Sequence, residues 1–191
     1  MERIGMYGGS FDPVHLGHLL VAQAALDEVC LTRLFFIPAA QSPFKPGTQP
    51  TPANERLRLL RLALAAQTRC EVDTQEVVRG GVSYSIDTVR QYAKRFPRAQ
   101  LFYLIGADHA RSLGEWREAA ELARSVEFLA IPRPGQPEVT FPAPFAGRTL
   151  KGFPFGVSAS QIRERVRQGL CIDHLVPPLV AEAIRNYHLY L

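Results

Sequence analysis

A short apolar run, Ile4 to Tyr7, leads straight into Gly8-Gly9-Ser10-Phe11-Asp12-Pro13-Val14-His15-Leu16-Gly17-His18. Leu19, Ala22, Leu26 and Val29 then recur at helical spacing. Strand, glycine turn, two histidines, helix: this order commits the N-terminal segment to a βα unit with an anion site at its turn. Gly8 and Gly9 lack a Cβ, so the turn can bend sharply and a ligand can approach the backbone. The new helix offers unpaired N–H groups and a positive dipole end. His15 and His18 are three apart and share a helix face there, and Gly17 between them leaves room for a nucleotide. A plain turn is the simpler reading of glycines alone. A His-x-x-His pair can also be a metal site. Helical zinc pairs usually sit four apart, however, and neither a Cys nor a third His lies nearby, so no metal ligand set is expected.

Beyond this unit the pattern keeps alternating. Strands are predicted at 3–7, 34–37, 70–72, 101–105 and 126–131, and helices at 16–29, 52–66, 85–96, 114–123, 159–168 and 178–187. The runs 34–37 and 101–105 are continuously apolar, as expected for parallel strands covered on both faces. The alternation predicts an α/β fold, a doubly wound, Rossmann-like parallel sheet flanked by helices. Ligands of such sheets bind beyond the carboxyl ends of the strands, where the strand order reverses. The glycine loop, Gly106-Ala107-Asp108 and the segment after Ile37 all fall at such ends. Two stretches rich in Pro and Gly, 39–50 and 132–147, are loops suited to cover that site.

The length of 191 residues suits a single domain, 1–191, with a substantial core. A run of about 18 apolar residues is absent from the sequence, so no membrane span is expected. The N-terminus lacks the layout of a signal peptide. The three cysteines, Cys30, Cys70 and Cys171, are far apart and odd in number, which favours a reducing cytoplasm. The net charge of +4 suits phosphate-rich small molecules, while scattered Lys and Arg argue against nucleic-acid binding.

A third feature is Val157-Ser158-Ala159-Ser160-Gln161-Ile162-Arg163. Ser158 and Gln161 fit a capping box, so a helix begins here. Ser160, Arg163 and Arg167 fall on one face, whereas Ile162 and Val166 fall on another and pack inward. A helix start carrying a hydroxyl and an Arg suits the outer phosphates of a triphosphate. Alone, it reads first as an ordinary capped, charged helix; beside the first loop, the phosphate reading is preferred.

Taken together, these segments resemble the bacterial nicotinate-nucleotide adenylyltransferase family, within the nucleotidylyltransferases that carry an HxGH signature. Residues 8–18 are similar to the family's GGSFDPxHxGH motif and Ser158 to Arg163 to its ISSTxIR motif. Tyr84-Ser85-Ile86-Asp87-Thr88 resembles SYTxDTL, and Gly106-Ala107-Asp108 with Leu113 and Trp116 resembles GxDxxxxLxxW. Arg133-Pro134-Gly135 and Leu175-Val176-Pro177 have counterparts too, in the same order along the chain. Val157, Ala159 and Ser160 depart from the family's Ile, Ser and Thr, Ser85 replaces a Thr, and Phe44 stands where a His is usual, before a retained Lys45.

The resemblance implies an enzyme that joins nicotinate mononucleotide (NaMN) to the AMP part of ATP, giving deamido-NAD and pyrophosphate. It assigns His15 and His18 to the ATP phosphates and the transition state, and Lys45, Ser160 and Arg163 to the leaving pyrophosphate. Gly8, Gly9, Ser10, Phe11, Gly17, Gly106, Asp108, Ser158 and Ile162 would surround ATP, with Gly106 and Asp108 at the ribose. Asp12, Ser85, Trp116 and Arg133 would bind the nicotinate nucleotide, Trp116 by stacking on its ring. Trp116 also reads as a core residue and Asp108 as a helix N-cap. Mg²⁺ is expected on the phosphates and water rather than in a protein cage. Self-association into a homo-oligomer stays open. Two other readings remain: a pantetheine-phosphate or cytidylyl transferase, which share HxGH, and a nucleotide sensor without catalysis.

Overall fold

The computed structural model describes the chain apart from residues 45, 46, 48, 132–138 and 154. Its centre is one six-stranded, all-parallel sheet in the order β3-β2-β1-β4-β5-β6. The strands are β1 (Arg3–Gly9), β2 (Arg33–Pro38), β3 (Cys70–Val72), β4 (Gln100–Gly106), β5 (Glu127–Ile131) and β6 (Gly147–Thr149). The chain builds outward from β1 to β3, then returns to place β4 on the other side of β1. The strand order therefore reverses between β1 and β4, which is where such sheets open a crevice.

Alternation along the strands assigns the two faces. Leu34 and Phe36 of β2, with Phe102 and Leu104 of β4, face a core shared with α1 (Leu16–Glu28), α2 (Ala53–Leu64), α6 (Ala159–Arg167) and α7 (Pro178–Asn186). Phe35 and Ile37, with Tyr103 and Ile105, face the opposite core. That second core holds Ile86, Val89 and Tyr92 of α4 (Ser85–Arg95), and Leu122 of α5 (Ala119–Ser125). With helices on both faces, the strands can be apolar throughout, as 34–37 and 101–105 are. The doubly wound α/β expectation is met.

Each predicted strand is present, and the helix ends shift by a residue or two at most except after β4. There a 3₁₀ helix, Ala107–Glu115, occupies ground assigned in part to a helix over 114–123. Ala110 and Leu113 are three apart and both fully buried, and side chains at that spacing line up in a three-residue turn. Glu118, with φ 54°, then breaks the chain before α5. Two short elements were not expected, α3 (Gln75–Arg79) and β6. One turn of helix and a three-residue edge strand leave no readable period. The glycine turn is also relocated. Gly8 and Gly9 are the last extended residues of β1, and the left-handed residue is Phe11, with φ 45°.

Phe36 shows how the sheet supports the loop. It is fully buried, and its ring lies 5.3 Å from that of Tyr7 and 5.5 Å from that of Phe11. Phe36→Ala leaves a cavity beneath the loop, and urea unfolding should show a loss of about 3–5 kcal/mol.

Candidate active site

At the carboxyl ends of β1 and β4 lies a cleft of about 840 Å³, bounded by the 8–18 loop and the start of α6. A second recess of about 310 Å³ opens beside it, lined by Ser42 to Phe44, Glu76, Ser83, Ser85, Tyr103 and Trp116.

The larger cleft is shaped by close approaches. A Cβ on Gly8 would meet the Tyr103 hydroxyl at 2.5 Å, and one on Gly17 would meet the His15 ring at 3.0 Å. The glycines are thus needed for proximity rather than for a left-handed backbone. His15 is the N-cap of α1, extended at φ −145° and ψ 171°. Its N–H donates to Nδ1 of His18 at 3.2 Å. Because Nδ1 accepts, the proton of a neutral His18 ring sits on Nε2, leaving that atom as a donor. The two imidazoles stack with centroids 3.7 Å apart. His15 is nearly buried, its Nδ1 has no hydrogen-bond partner, and burial pushes its pKa down to about 4. In the ligand-free protein His15 is accordingly a neutral ring near pH 7.

Across the cleft, α6 starts as expected. The Ser158 N–H donates to Gln161 Oε1 at 2.8 Å, and the Gln161 N–H donates to Ser158 Oγ at 3.3 Å. Arg163 is held from below: Nη1 donates to the Asp12 carbonyl at 2.6 Å and Nη2 to Ser160 Oγ at 3.3 Å. Arg163 and Ser160 therefore line the same cleft as the histidine pair.

Asp12 lines this larger cleft, rather than the smaller recess that contains Ser85 and Trp116. Its Oδ2 accepts the Thr51 N–H at 3.1 Å, while Oδ1 is buried without a partner. Phe11, Gly17 and Ser158 also line the larger cleft, Gly9 lines the smaller recess, and Gly8, Ser10 and Gly106 line both. The Ile162 side chain is in the core, and its N–H is given to the Ser158 carbonyl. Asp108 is exposed in the first turn of the 3₁₀ helix, whose N-cap is Gly106 rather than Asp108. Its carboxylate lines neither recess. Lys45 and Arg133 lie outside the described residues.

Three residues of the site were not anticipated. Arg56 is fully buried and donates to the carbonyls of Thr51 at 2.8 Å, Ser10 at 2.9 Å and Ala39 at 2.9 Å. Within an amphipathic helix it reads as one more surface arginine, so nothing local marks it. Glu76 is buried in the wall of the smaller recess and accepts a hydrogen bond from Thr88 Oγ1 at 2.5 Å. Burial pushes its carboxyl up, against the opposing effects of Thr88, Ser83 and Arg79. His109 lines both recesses. Among the described residues no three His, Cys, Asp or Glu side chains converge to hold a metal, and no helix is long and apolar enough to cross a membrane.

The chain has clear relatives. The Cytidylyltransferase-like family matches residues 6–165. A protein of Opitutus terrae described as a probable nicotinate-nucleotide adenylyltransferase is 41% identical, covering 98% of this chain and 97% of its own. One of Thermus thermophilus with the same description is 38% identical, covering 98% and 99%. Among solved structures, the Plasmodium falciparum nicotinic acid mononucleotide adenylyltransferase complexed with NaAD superposes with a TM-score of 0.78 at 17% identity, over 100% of this chain and 98% of that one. A putative nicotinate-nucleotide adenylyltransferase of Vibrio parahaemolyticus gives 0.74 at 16%, over 100% and 96%. At these identities the two structures are evidence for the fold.

The His15 environment has a measurable consequence. A folded pKa below the unfolded value means the unfolded chain binds more protons, so stability falls as pH drops through about 6.5 toward 4. Between about pH 7 and about pH 5 this group should remove about 2 kcal/mol, and urea unfolding of His15→Gln should lack that part of the slope.

Proposed function

The chain belongs to the nicotinate-nucleotide adenylyltransferase family, and from that membership and the paired recesses we infer that it transfers the adenylyl group of ATP to NaMN. The products are deamido-NAD and pyrophosphate, a step of NAD biosynthesis. The observation that carries this reading is the stacked His15–His18 pair lining, with Arg163 and Ser160, a cleft that adjoins an aromatic recess.

A NaMN phosphate oxygen attacks the α-phosphorus of ATP; the new P–O bond forms as the bond to the pyrophosphate oxygen breaks. A phosphate monoester is already ionised near neutral pH, so the protein's work is alignment and charge stabilisation. His18 donates from Nε2 to the triphosphate. His15 enters neutral, and the approaching phosphates favour its protonation, supplying charge where the transition state develops it. Arg163, Ser160 and Lys45 take the leaving pyrophosphate. The backbone at Gly8, Gly9, Ser10, Phe11, Gly17 and Gly106 and the N-cap Ser158 form the wall for ATP. Ile162 acts by seating α6, and Asp108 is the ribose partner that the family resemblance implies. Mg²⁺ on the phosphates would neutralise charge. Asp12 is the sole carboxylate among the described residues lining the cleft, and its buried, unpartnered Oδ1 fits a hydrogen bond from the ion's water.

The smaller recess suits the pyridine ring. Trp116 presents a face for stacking, Ser85 opens α4, and that helix start favours an anion such as the nicotinate carboxylate. A Glu76 carboxyl pushed toward its neutral form removes a repulsion there. Arg133 is assigned to the same nucleotide by resemblance, as is Asp12. The 191 residues act as one nucleotidylyltransferase domain with small-molecule partners, not nucleic acid, and self-association as a homo-oligomer is left to measurement. Three free thiols, two of them exposed, support a reducing cytoplasm.

Pyrophosphate release from ATP and Mg²⁺ tests the reading, with NaMN, the amide NMN or phosphopantetheine supplied in parallel. NaMN should be used clearly better than NMN, and phosphopantetheine not at all. Equal use of NaMN and NMN would overturn the acid preference; ATP binding without release would favour a sensor. His18→Ala should lower kcat at least a hundredfold, about 2.7 kcal/mol of transition-state stabilisation, with little change in thermal midpoint. Near-normal turnover would remove His18 from the mechanism.

A further inference from the structure

Only four described residues line both recesses: Gly8, Ser10, Gly106 and His109. If the pyridine ring occupies the smaller recess and the triphosphate the larger, the attacking phosphate stands where the two meet. Two of these four residues have no side chain. Ser10 is anchored through its carbonyl by Arg56, and its short hydroxyl is the other side-chain donor at the junction. His109 is the titratable member, and its ring is placed by packing. Its Cδ2 lies over Gly106, 3.6 Å from where a Cβ would sit. Phe44 stacks on it with centroids 4.6 Å apart and planes at 37°, and Trp116 meets it edge-on at 6.2 Å and 70°. These contacts restrain the plane of the ring, and a hydrogen bond to a phosphate would be made in that plane at a ring nitrogen.

We propose that His109 binds the phosphate of the attacking mononucleotide, donating a ring N–H to it at the junction of the two recesses. The proposal rests on the adenylyltransferase reading and deepens it: His15, His18 and Arg163 serve the triphosphate, and His109 serves the acceptor. It also gives Phe44 a task as a positioning residue, since the Phe44 ring holds the imidazole plane against Trp116.

The test separates the N–H from the stack. His109→Phe keeps an aromatic ring against Phe44 and near Trp116 but has no donor, and His109→Ala removes both. Both variants should raise KM for NaMN roughly ten- to a hundredfold, the range for a hydrogen bond to a charged group. The Kd of a non-hydrolysable ATP analogue should be unchanged in His109→Phe. Nicotinate riboside, which has the ring and sugar but no phosphate, should compete with the same inhibition constant in the unaltered protein and in His109→Phe. A His109→Phe enzyme with the unaltered KM would reduce His109 to a stacking residue and overturn the proposal. So would an equal loss for NaMN and the riboside. Failure of the unaltered protein to release pyrophosphate with NaMN would instead overturn the adenylyltransferase reading, and this proposal with it.

Discussion

One buried guanidinium organises the loops on which the site is built. Arg56 leaves α2 and ends among the carbonyls of Ser10, Ala39 and Thr51, which belong to the loop after β1, the end of β2 and the approach to α2. A guanidinium stripped of water must have its donors satisfied, so these three segments are fixed together by a group that tolerates little displacement. Asp12 provides the compensating charge and extends the network. Its Oδ2 accepts from Thr51 and its carbonyl holds Arg163. Arg163 is therefore tied, through Asp12, Thr51 and Arg56, to the ends of two strands. Removing Arg56 would leave Asp12 buried without its counter-charge, a costlier loss than any exposed ion pair of this chain.

The preorganised wall also explains how a cleft lined by a buried neutral histidine can serve highly charged ligands. Among the described residues lining the larger cleft, Arg163 is the one Lys or Arg and Asp12 the one carboxylate. His15 is neutral by burial, and the fixed groups are dipoles: the starts of α1 and α6 and the Nε2–H of His18. Arg163 is the exception, restrained by two hydrogen bonds. In the proposed reaction, dipoles fixed in advance at the cleft would need no reorientation. A histidine that gains its proton only as phosphates approach adds charge when the ligand is present and avoids burying an unpaired cation when it is not.

The sheet and the polar framework were readable because each rests on a local signal. Continuous apolar runs marked the central strands, glycine followed by helical spacing marked the first βα unit, and Ser158 with Gln161 marked the start of α6. What escaped is what depends on distant parts of the chain. Arg56 shares its helix with other arginines, and only the fold reveals which one is buried. Asp12 is three residues from His15, yet whether it faces the ring recess or the triphosphate cleft depends on how the chain turns after the left-handed Phe11. Gly8 and Gly9 suggested a bend, whereas Gly8 is needed because Tyr103 approaches from β4, nearly a hundred residues later. Ile162 was legible as inward-facing by its spacing, and the core position follows from that.

The reversal of strand order between β1 and β4 makes two recesses adjacent without a second domain. On one side of these strand ends, α1 and α6 direct their N-termini into a polar cleft; on the other, α4 and the 3₁₀ helix frame an aromatic one. Each recess can be specific for its own ligand because each draws on a different face of the sheet. The shared boundary is made of little more than Gly8, Ser10, Gly106 and His109. Small residues at that boundary let two anionic ligands approach across bare backbone, and their repulsion is the cost the site must offset. In the proposed reaction donors from both recesses would offset it, and the strand ends are where the two recesses meet.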